Sequence, residues 1–316
     1  MKAVVINEFG GKEKLNLTDV PTPQPAENEV LVRIKAAGVN PVDWKIREGW
    51  LKDLLPHEFP IILGWDLTGV VEKTGDRVER FAKGDHVFAY NRRPIVQQGT
   101  YAEYAAVPDD YITQSPQSLS FEESASIPLA ALTAYQAVYD AVELKEGESI
   151  LIVGASGGVG GFAVQFARLI GAKVTAIASE KNHAYLQGLG AQHTICYTKG
   201  DLQDSFKAIC PSGADVVFDL IGGEALKKAD HCVKTGGKIV SITDDPRSHV
   251  PPEKNIQSHF VFVEPNAKQL DHIREMVDSG KLKTHLSSIY ALADVQNAHA
   301  EMETGHTRGK IVLKID

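Results

Sequence analysis

Apolar and polar positions fall into two textures along this chain. Over residues 1 to about 118, short apolar runs alternate with polar positions and glycine turns, the pattern of an all-β region. Lys2–Ile6 and Val30–Ala36 read as strands, the second alternating through Val30, Val32 and Ile34. Leu67–Lys73 and His86–Ala89 add two more, separated by Thr74-Gly-Asp-Arg77 and Ala82-Lys-Gly-Asp85. Pro21-Thr-Pro-Gln-Pro-Ala-Glu-Asn28 predicts an extended connector, too short for an interdomain linker.

From about residue 120 the pattern changes to alternating helix and strand. Ser120-Phe-Glu-Glu123 has the spacing of a capping box, and Pro128–Val142 is expected to be helical. Ile150–Val153 is a run of four apolar residues, the signature of a buried strand. Further strands are expected at Lys173–Ala178, Asp215–Leu220, Lys238–Ile242 and Phe260–Val263, with helical segments between them. Such alternation implies a parallel sheet with right-handed crossovers. A helix near Lys268–Ser279 and a last strand, Lys310–Ile315, close the pattern; that strand is expected to rejoin the β region.

The most informative stretch is Gly154-Ala-Ser-Gly-Gly-Val-Gly160, between the strand Ile150–Val153 and helical spacing over Phe162–Ile170. Strand, glycine turn and helix together build a dinucleotide site, because backbone N–H groups and the helix N-terminus hold a pyrophosphate that glycines allow to approach. Ala155 replaces the first glycine of the usual G-x-G-x-x-G pattern by one methyl group. A dinucleotide site usually places an acidic residue after the second strand when the cofactor is NAD. Here Ala178 is followed by Ser179, Glu180, Lys181 and Asn182. A hydroxyl and an ammonium suit a 2′-phosphate, at about 1.5–3 kcal/mol per charge-assisted bond, which points to NADPH. Glu180 opposes that reading if it points inward.

Bulk properties narrow the alternatives. The 316 residues suffice for about two domains, and 43% hydrophobic with 23% charged residues describes a globular protein. A net charge of −8 disfavours nucleic acid or an anionic membrane as partner. Cys196, Cys210 and Cys232 are odd in number and lack Cys-x-x-Cys spacing, which argues against a disulfide framework or a four-cysteine zinc. No apolar run is long enough to span a bilayer, and a cytoplasmic location is expected.

The whole chain resembles the medium-chain dehydrogenase/reductase superfamily, and within it the zinc-free, quinone oxidoreductase-like branch. The resemblance rests on Ala36-Ala-Gly-Val-Asn-Pro-Val-Asp-Trp-Lys45, Gly64-Trp-Asp-Leu-Thr-Gly-Val-Val71, Leu132-Thr-Ala-Tyr135, Gly154–Gly160, Asp219-Leu-Ile-Gly-Gly223 and Arg308-Gly-Lys-Ile-Val-Leu313. It implies an α/β fold: a GroES-like β domain (1–122 and 265–316), a doubly wound Rossmann NADPH-binding domain (123–264), and an active site in the cleft between them. In the zinc alcohol dehydrogenases the matching segments carry a cysteine at the position of Asn40 and Gly-His-Glu at Gly64-Trp65-Asp66, so two metal ligands are replaced and no metal is expected.

Without a metal, preplaced donors must stabilise the negative charge that develops on the acceptor oxygen. The resemblance implies catalytic roles for Lys45, as donor to the acceptor carbonyl or to the nicotinamide ribose, and for Asn40, as an amide donor. Asp43 is expected to brace the loop or to act directly, and Asp66 to be structural. It also implies cofactor contacts from Ser156, Gly157, Gly158 and Val159 to the pyrophosphate, from Thr133, Ile242 and Thr243 near the nicotinamide, and from Ser179, Lys181, Asn182 and Tyr197 near the 2′-phosphate. Lys310 is expected to reach the cofactor or to lie on the surface. The expected activity is NADPH-dependent reduction of a quinone or an α,β-unsaturated carbonyl. A non-catalytic NADPH-binding structural or RNA-binding protein and an enoyl-thioester reductase are the alternatives. A homodimer through Phe260–Val263 is a further expectation; the same run also suits a core.

Overall fold

The computed structural model describes residues 1–248, 250 and 254–316. The chain divides into two compact units, Met1–Leu132 with Glu264–Asp316, and Thr133–Val263; the division falls inside the helix Pro128–Tyr135.

The first unit is built on strands. Glu29–Val39 is its longest strand, extending the expected Val30–Ala36 at both ends. It is buried along most of its length because it pairs with Asp66–Thr74, Tyr104–Pro108 and Lys310–Lys314, all antiparallel. Among the described residues these belong to a seven-stranded sheet completed by His86–Tyr90, Ile112–Gln114 and Leu286–Ala291. A smaller sheet joins Asn16–Asp19, Lys2–Ile6, His57–Ile62 and Val96–Gln98. Gly38 lies where a Cβ would meet the backbone oxygen of Ala125 and the Asp66 side chain (2.8 Å), so glycine permits the close packing there. The final strand returns to this unit as expected, pairing Ile311 with Val39 and Lys314 with Ala36.

Short helices accompany these strands. Phe121–Ala125 starts on the expected capping box: Glu123 N donates to Ser120 Oγ at 3.2 Å and Ser120 N to Glu123 Oε2 at 2.9 Å. The helix Pro41–Arg47, which the apolar pattern does not signal, starts at a proline whose fixed φ suits the first helical position.

The second unit is a parallel sheet with strand order 193–196, 173–178, 149–153, 214–219, 233–241, 257–260 among the described residues. Numbered along the unit this is 3-2-1-4-5-6, the doubly wound dinucleotide order. Leu151, Val153, Ile177, Val217, Phe206 and Leu226 form one of its cores, each contributing about 1.5–3 kcal/mol by burial.

The structure corrects two expectations. The helix over Pro128–Val142 is α-helical only to Tyr135 and then widens into a π turn, Gln136–Ala141. There Tyr135 and Tyr139 each set a ring edge-on to Phe166, at 5.7 Å and 5.6 Å. The last strand is Gln257–Phe260, not Phe260–Val263. Its register against Lys238–Ser241 is set by backbone pairing, and Phe260 and Phe262 remain 43% and 40% exposed.

Candidate active site and nucleotide cradle

The order of the parallel sheet reverses between 149–153 and 214–219, and ligands of such sheets bind beyond the carboxyl ends of the strands at that crevice. Gly154 leaves the first of these strands at φ 79°. Gly157 N donates to Gly154 O at 3.2 Å, closing the turn, and the helix Gly158–Ile170 begins directly after it. Gly158, Val159 and Gly160 are its first three positions, whose N–H groups have no intrahelical acceptor and sit at the positive end of the helix dipole. Ser156, Gly157, Gly158 and Val159 are half-buried. A Cβ at Gly160 would stand 2.6 Å from Ala155 Cα, whereas Gly157 has only Gly154 O, at 3.6 Å. The helix is thus packed tightly on the turn before it, and the open space at Gly157 fits a pyrophosphate.

The strands 173–178 and 193–196 run side by side with Ala178 opposite Cys196, so Ser179 and Tyr197 leave adjacent strands at the same end. Asn182 is buried and donates from Nδ2 to Ser179 Oγ at 3.2 Å. That bond uses an oxygen lone pair and leaves the serine hydroxyl hydrogen to donate outward. Lys181 is exposed, Tyr197 is 57% exposed, and Glu180 is ion-paired to Lys199 at 2.8 Å. A hydroxyl, an ammonium and a phenol are thus available, a donor set that fits a phosphate; Asn182 serves it by orienting Ser179.

Thr133 is buried, and Ile242 lies half-buried just past the strand Val233–Ser241. Thr243 Oγ1 and Ser241 Oγ both donate to Asp219 Oδ2, at 3.3 Å and 2.9 Å, and Gly222 N donates to the same oxygen at 2.9 Å. Burial raises the Asp219 pKa against the lowering by these donors. Asp219, not singled out as a site residue from the sequence, therefore ties together the ends of two strands.

In the β unit, Asn40, Asp43, Asp66 and Lys310 come together although Lys310 is 270 positions from Asn40. Lys310 Nζ donates to Asn40 Oδ1, to Val39 O at 3.1 Å and to Asp66 Oδ2 at 3.4 Å. Asn40 Nδ2 donates to Asp66 Oδ2 at 2.9 Å, and Leu129 N to Asp66 Oδ1 at 2.7 Å. Lys310 is 4% exposed, so the surface alternative for it is overturned; its ammonium is spent on this cluster. Asp66 is fully buried beneath these donors.

Asp43, at the third position of the helix Pro41–Arg47, accepts from Asn40 N at 2.7 Å and from Tyr101 Oη at 2.8 Å, both on Oδ2. Its Oδ1 is buried without a hydrogen-bond partner. Burial pushes its pKa up to about 7 despite those two donors and the Lys310 charge. One turn on, the buried Arg47 donates to Gly10 O at 3.1 Å and to Glu303 Oε1 at 2.8 Å, and meets His299 Nδ1 at 3.2 Å. Because arginine only donates, His299 Nδ1 accepts and its proton sits on Nε2. The helix is thus anchored at both ends. Lys45 is half-buried on it, with Nζ 6.0 Å from the centroid of Trp44, whose ring meets Trp50 edge-on at 4.8 Å.

Among the described residues, no three His, Cys, Asp or Glu side chains come together in a way that could hold a metal, and no helix is long and apolar enough to cross a membrane.

A GroES-like β unit and a doubly wound parallel sheet with a glycine cradle define a nucleotide-binding oxidoreductase fold. Comparison with known proteins agrees. The alcohol dehydrogenase GroES-like domain family matches residues 26–117 and the zinc-binding dehydrogenase family residues 189–313. The chain is 33% identical to human quinone oxidoreductase over 99% of this chain and 97% of that protein. It is 34% identical to the chloroplastic NADPH-dependent alkenal/one oxidoreductase of Arabidopsis thaliana, over 99% of this chain and 79% of that one. The structure of the quinone oxidoreductase from Coxiella burnetii superposes with a TM-score of 0.90 at 36% identity, covering 100% of this chain and 99% of that one. The chain belongs to the medium-chain dehydrogenase/reductase superfamily, among its quinone oxidoreductase-like members. It is an oxidoreductase of the quinone and alkenal reductase type.

Proposed function

We propose that this protein reduces quinones or α,β-unsaturated carbonyls with NADPH and without a metal. The observation that carries the reading is the buried cluster around Asn40. Where zinc-dependent relatives carry a cysteine and a histidine, this chain has Asn40 and Trp65, and the Asn40 carboxamide is held by Lys310 and Asp66. An amide fixed in this way is a preorganised donor, and the bond from a cation to its oxygen strengthens its N–H groups as donors.

When bound, the nicotinamide supplies a hydride to the electron-poor carbon of the acceptor. The chain's part is to stabilise the negative charge that this transfer leaves on the acceptor oxygen. Lys45 and Asn40 are the donors for that charge, the first from an ammonium and the second from an amide. Asp43 braces the start of the helix that carries Lys45 through its bonds from Asn40 N and Tyr101 Oη. Gly158, Val159 and Gly160 offer backbone N–H groups to the pyrophosphate, with Ser156 and Gly157 shaping the cradle. Ser179, Lys181 and Tyr197 face the 2′-phosphate, while Thr133, Ile242 and Thr243 border the nicotinamide. Three free cysteines suit the reducing cytoplasm that belongs to this reading.

The test is oxidation of NADPH at 340 nm with a quinone and, separately, a short conjugated enone, with NADH as control and chelator-treated enzyme alongside. Turnover with NADPH preferred and chelator without effect supports the proposal. Tight NADPH binding with no turnover of either acceptor overturns the reductase reading, and loss of activity on chelation overturns the metal-free one.

A further inference from the structure

The turn after the strand Lys173–Ala178 carries a charge of the wrong sign for a phosphate. Glu180 stands between Ser179 and Lys181 and is exposed. Its carboxylate is nevertheless occupied, with Oε2 2.8 Å from Lys199 Nζ. Lys199 arrives from the neighbouring turn, two residues beyond Tyr197, and the pairing of Ala178 with Cys196 brings the two turns together. The hydrogen bond and charge of Lys199 hold the Glu180 carboxyl below its ordinary range, and Glu180 raises Lys199 in return.

We propose that Lys199 is a specificity-determining residue for the 2′-phosphate of the dinucleotide, holding the Glu180 carboxylate in an ion pair so that it does not face the phosphate as an unpaired anion. The proposal rests on the NADPH reading and deepens it. Over the two turns Lys181 and Lys199 balance Glu180 and Asp201, and removing Lys199 leaves a net negative charge. Glu180 and Lys199 are in direct contact, well inside the ~8 Å over which charges act at physiological salt. Stability does not account for the pair, because an ion pair with side chains 64% and 67% exposed adds little to folding. Releasing Glu180 does more than remove a cation. It frees an acidic residue just past the second strand, the feature with which NAD sites bind a ribose 2′-hydroxyl. Lys199 thus holds the site on the phosphate side of a choice that Glu180 alone would reverse.

The experiment is calorimetric titration of the full chain with 2′,5′-ADP and 5′-AMP, two probes that differ at the 2′ position by the phosphate alone. Wild type is compared with Lys199→Ala, Glu180→Gln and the double variant, each checked for an unchanged melting temperature. Lys199→Ala is expected to weaken 2′,5′-ADP about tenfold and to leave 5′-AMP within about twofold. The double variant should recover most of that loss, since no carboxylate is left to release. An unchanged ratio of the two affinities in Lys199→Ala overturns the role of Lys199 while leaving the NADPH reading intact. A wild type that binds both probes equally overturns both. A loss in Lys199→Ala that persists in full in the double variant overturns the part assigned to Glu180.

Discussion

Tyr101 donates its phenolic hydrogen to Asp43 Oδ2 across 2.8 Å, linking residues 58 positions apart inside a fully buried pair. Asp43 sits two residues before Lys45 on the helix Pro41–Arg47, so this bond helps fix the segment from which Lys45 projects. Tyr101→Phe keeps the ring that packs on Gly64 and removes only the donor. It is expected to cost about 1–3 kcal/mol in urea unfolding. In steady-state kinetics kcat should fall while KM for NADPH stays constant. The Tyr101 bond also lowers the Asp43 pKa, so its loss should move any alkaline-limb inflection due to Asp43 upward.

Asp43 makes folding stability depend on pH with an unusual sign. Burial raises its folded pKa to about 7 from 3.8, so between these values the folded state binds more protons than the unfolded one. Its contribution to stability therefore falls as pH rises through that window. Asp43→Asn removes the titration. The melting temperature of the variant relative to wild type should improve steadily from about pH 4 to about pH 8. A difference that is flat with pH would show that Asp43 remains ionised throughout.

Lys310→Met leaves the Asp66 carboxylate buried without its cation. Breaking such a pair from one side costs about 3–5 kcal/mol, readable in denaturant melts. Adding Asp66→Asn should recover part of that loss, because the neutral amide needs no counter-charge. Equal losses in the single and double variants would place the cost in the packing of the lysine stem.

The cysteines should differ in reactivity. The Thr198 hydroxyl, 3.2 Å from Cys196 Sγ, holds that thiol below its ordinary pKa, whereas burial pushes Cys232 up to about 11. Iodoacetamide followed by peptide mass spectrometry should label Cys196 well ahead of Cys232. Because Cys196 adjoins Tyr197, bound NADP+ should slow that labelling; a rate unaffected by saturating NADP+ would move the adenosine end of the cofactor elsewhere.

The strands and the cradle are legible in the sequence because their signals are local. A run such as Ile150–Val153 followed by glycines and helical spacing needs no distant partner to be recognised. The helix Pro41–Arg47 escapes such reading because seven residues with three buried, two of them the charged Asp43 and Arg47, carry no apolar stripe. Phe260–Val263 is misplaced as a strand because apolarity does not fix the end of an edge strand; the ladder against Lys238–Ser241 does. For Lys310 the lysine is visible, but its partners Asn40 and Asp66 lie 270 and 244 positions away, and pairing at that range leaves no periodic trace. Glu180 reads as an obstacle to phosphate for the same reason, since Lys199 comes from a different strand end.

The strand that carries Lys310 imposes an order on biosynthesis. Its ammonium is the cation hydrogen-bonded to Asn40 and Asp66, and its strand pairs with Glu29–Val39. Residues 133–263, a compact unit of their own, are translated between the two. A ribosome therefore completes the nucleotide-binding half while the β half still waits for its closing strand. Until then Asp66 has no ammonium beside it, and the Ala36–Val39 end of the longest strand lacks the partner that the last strand supplies.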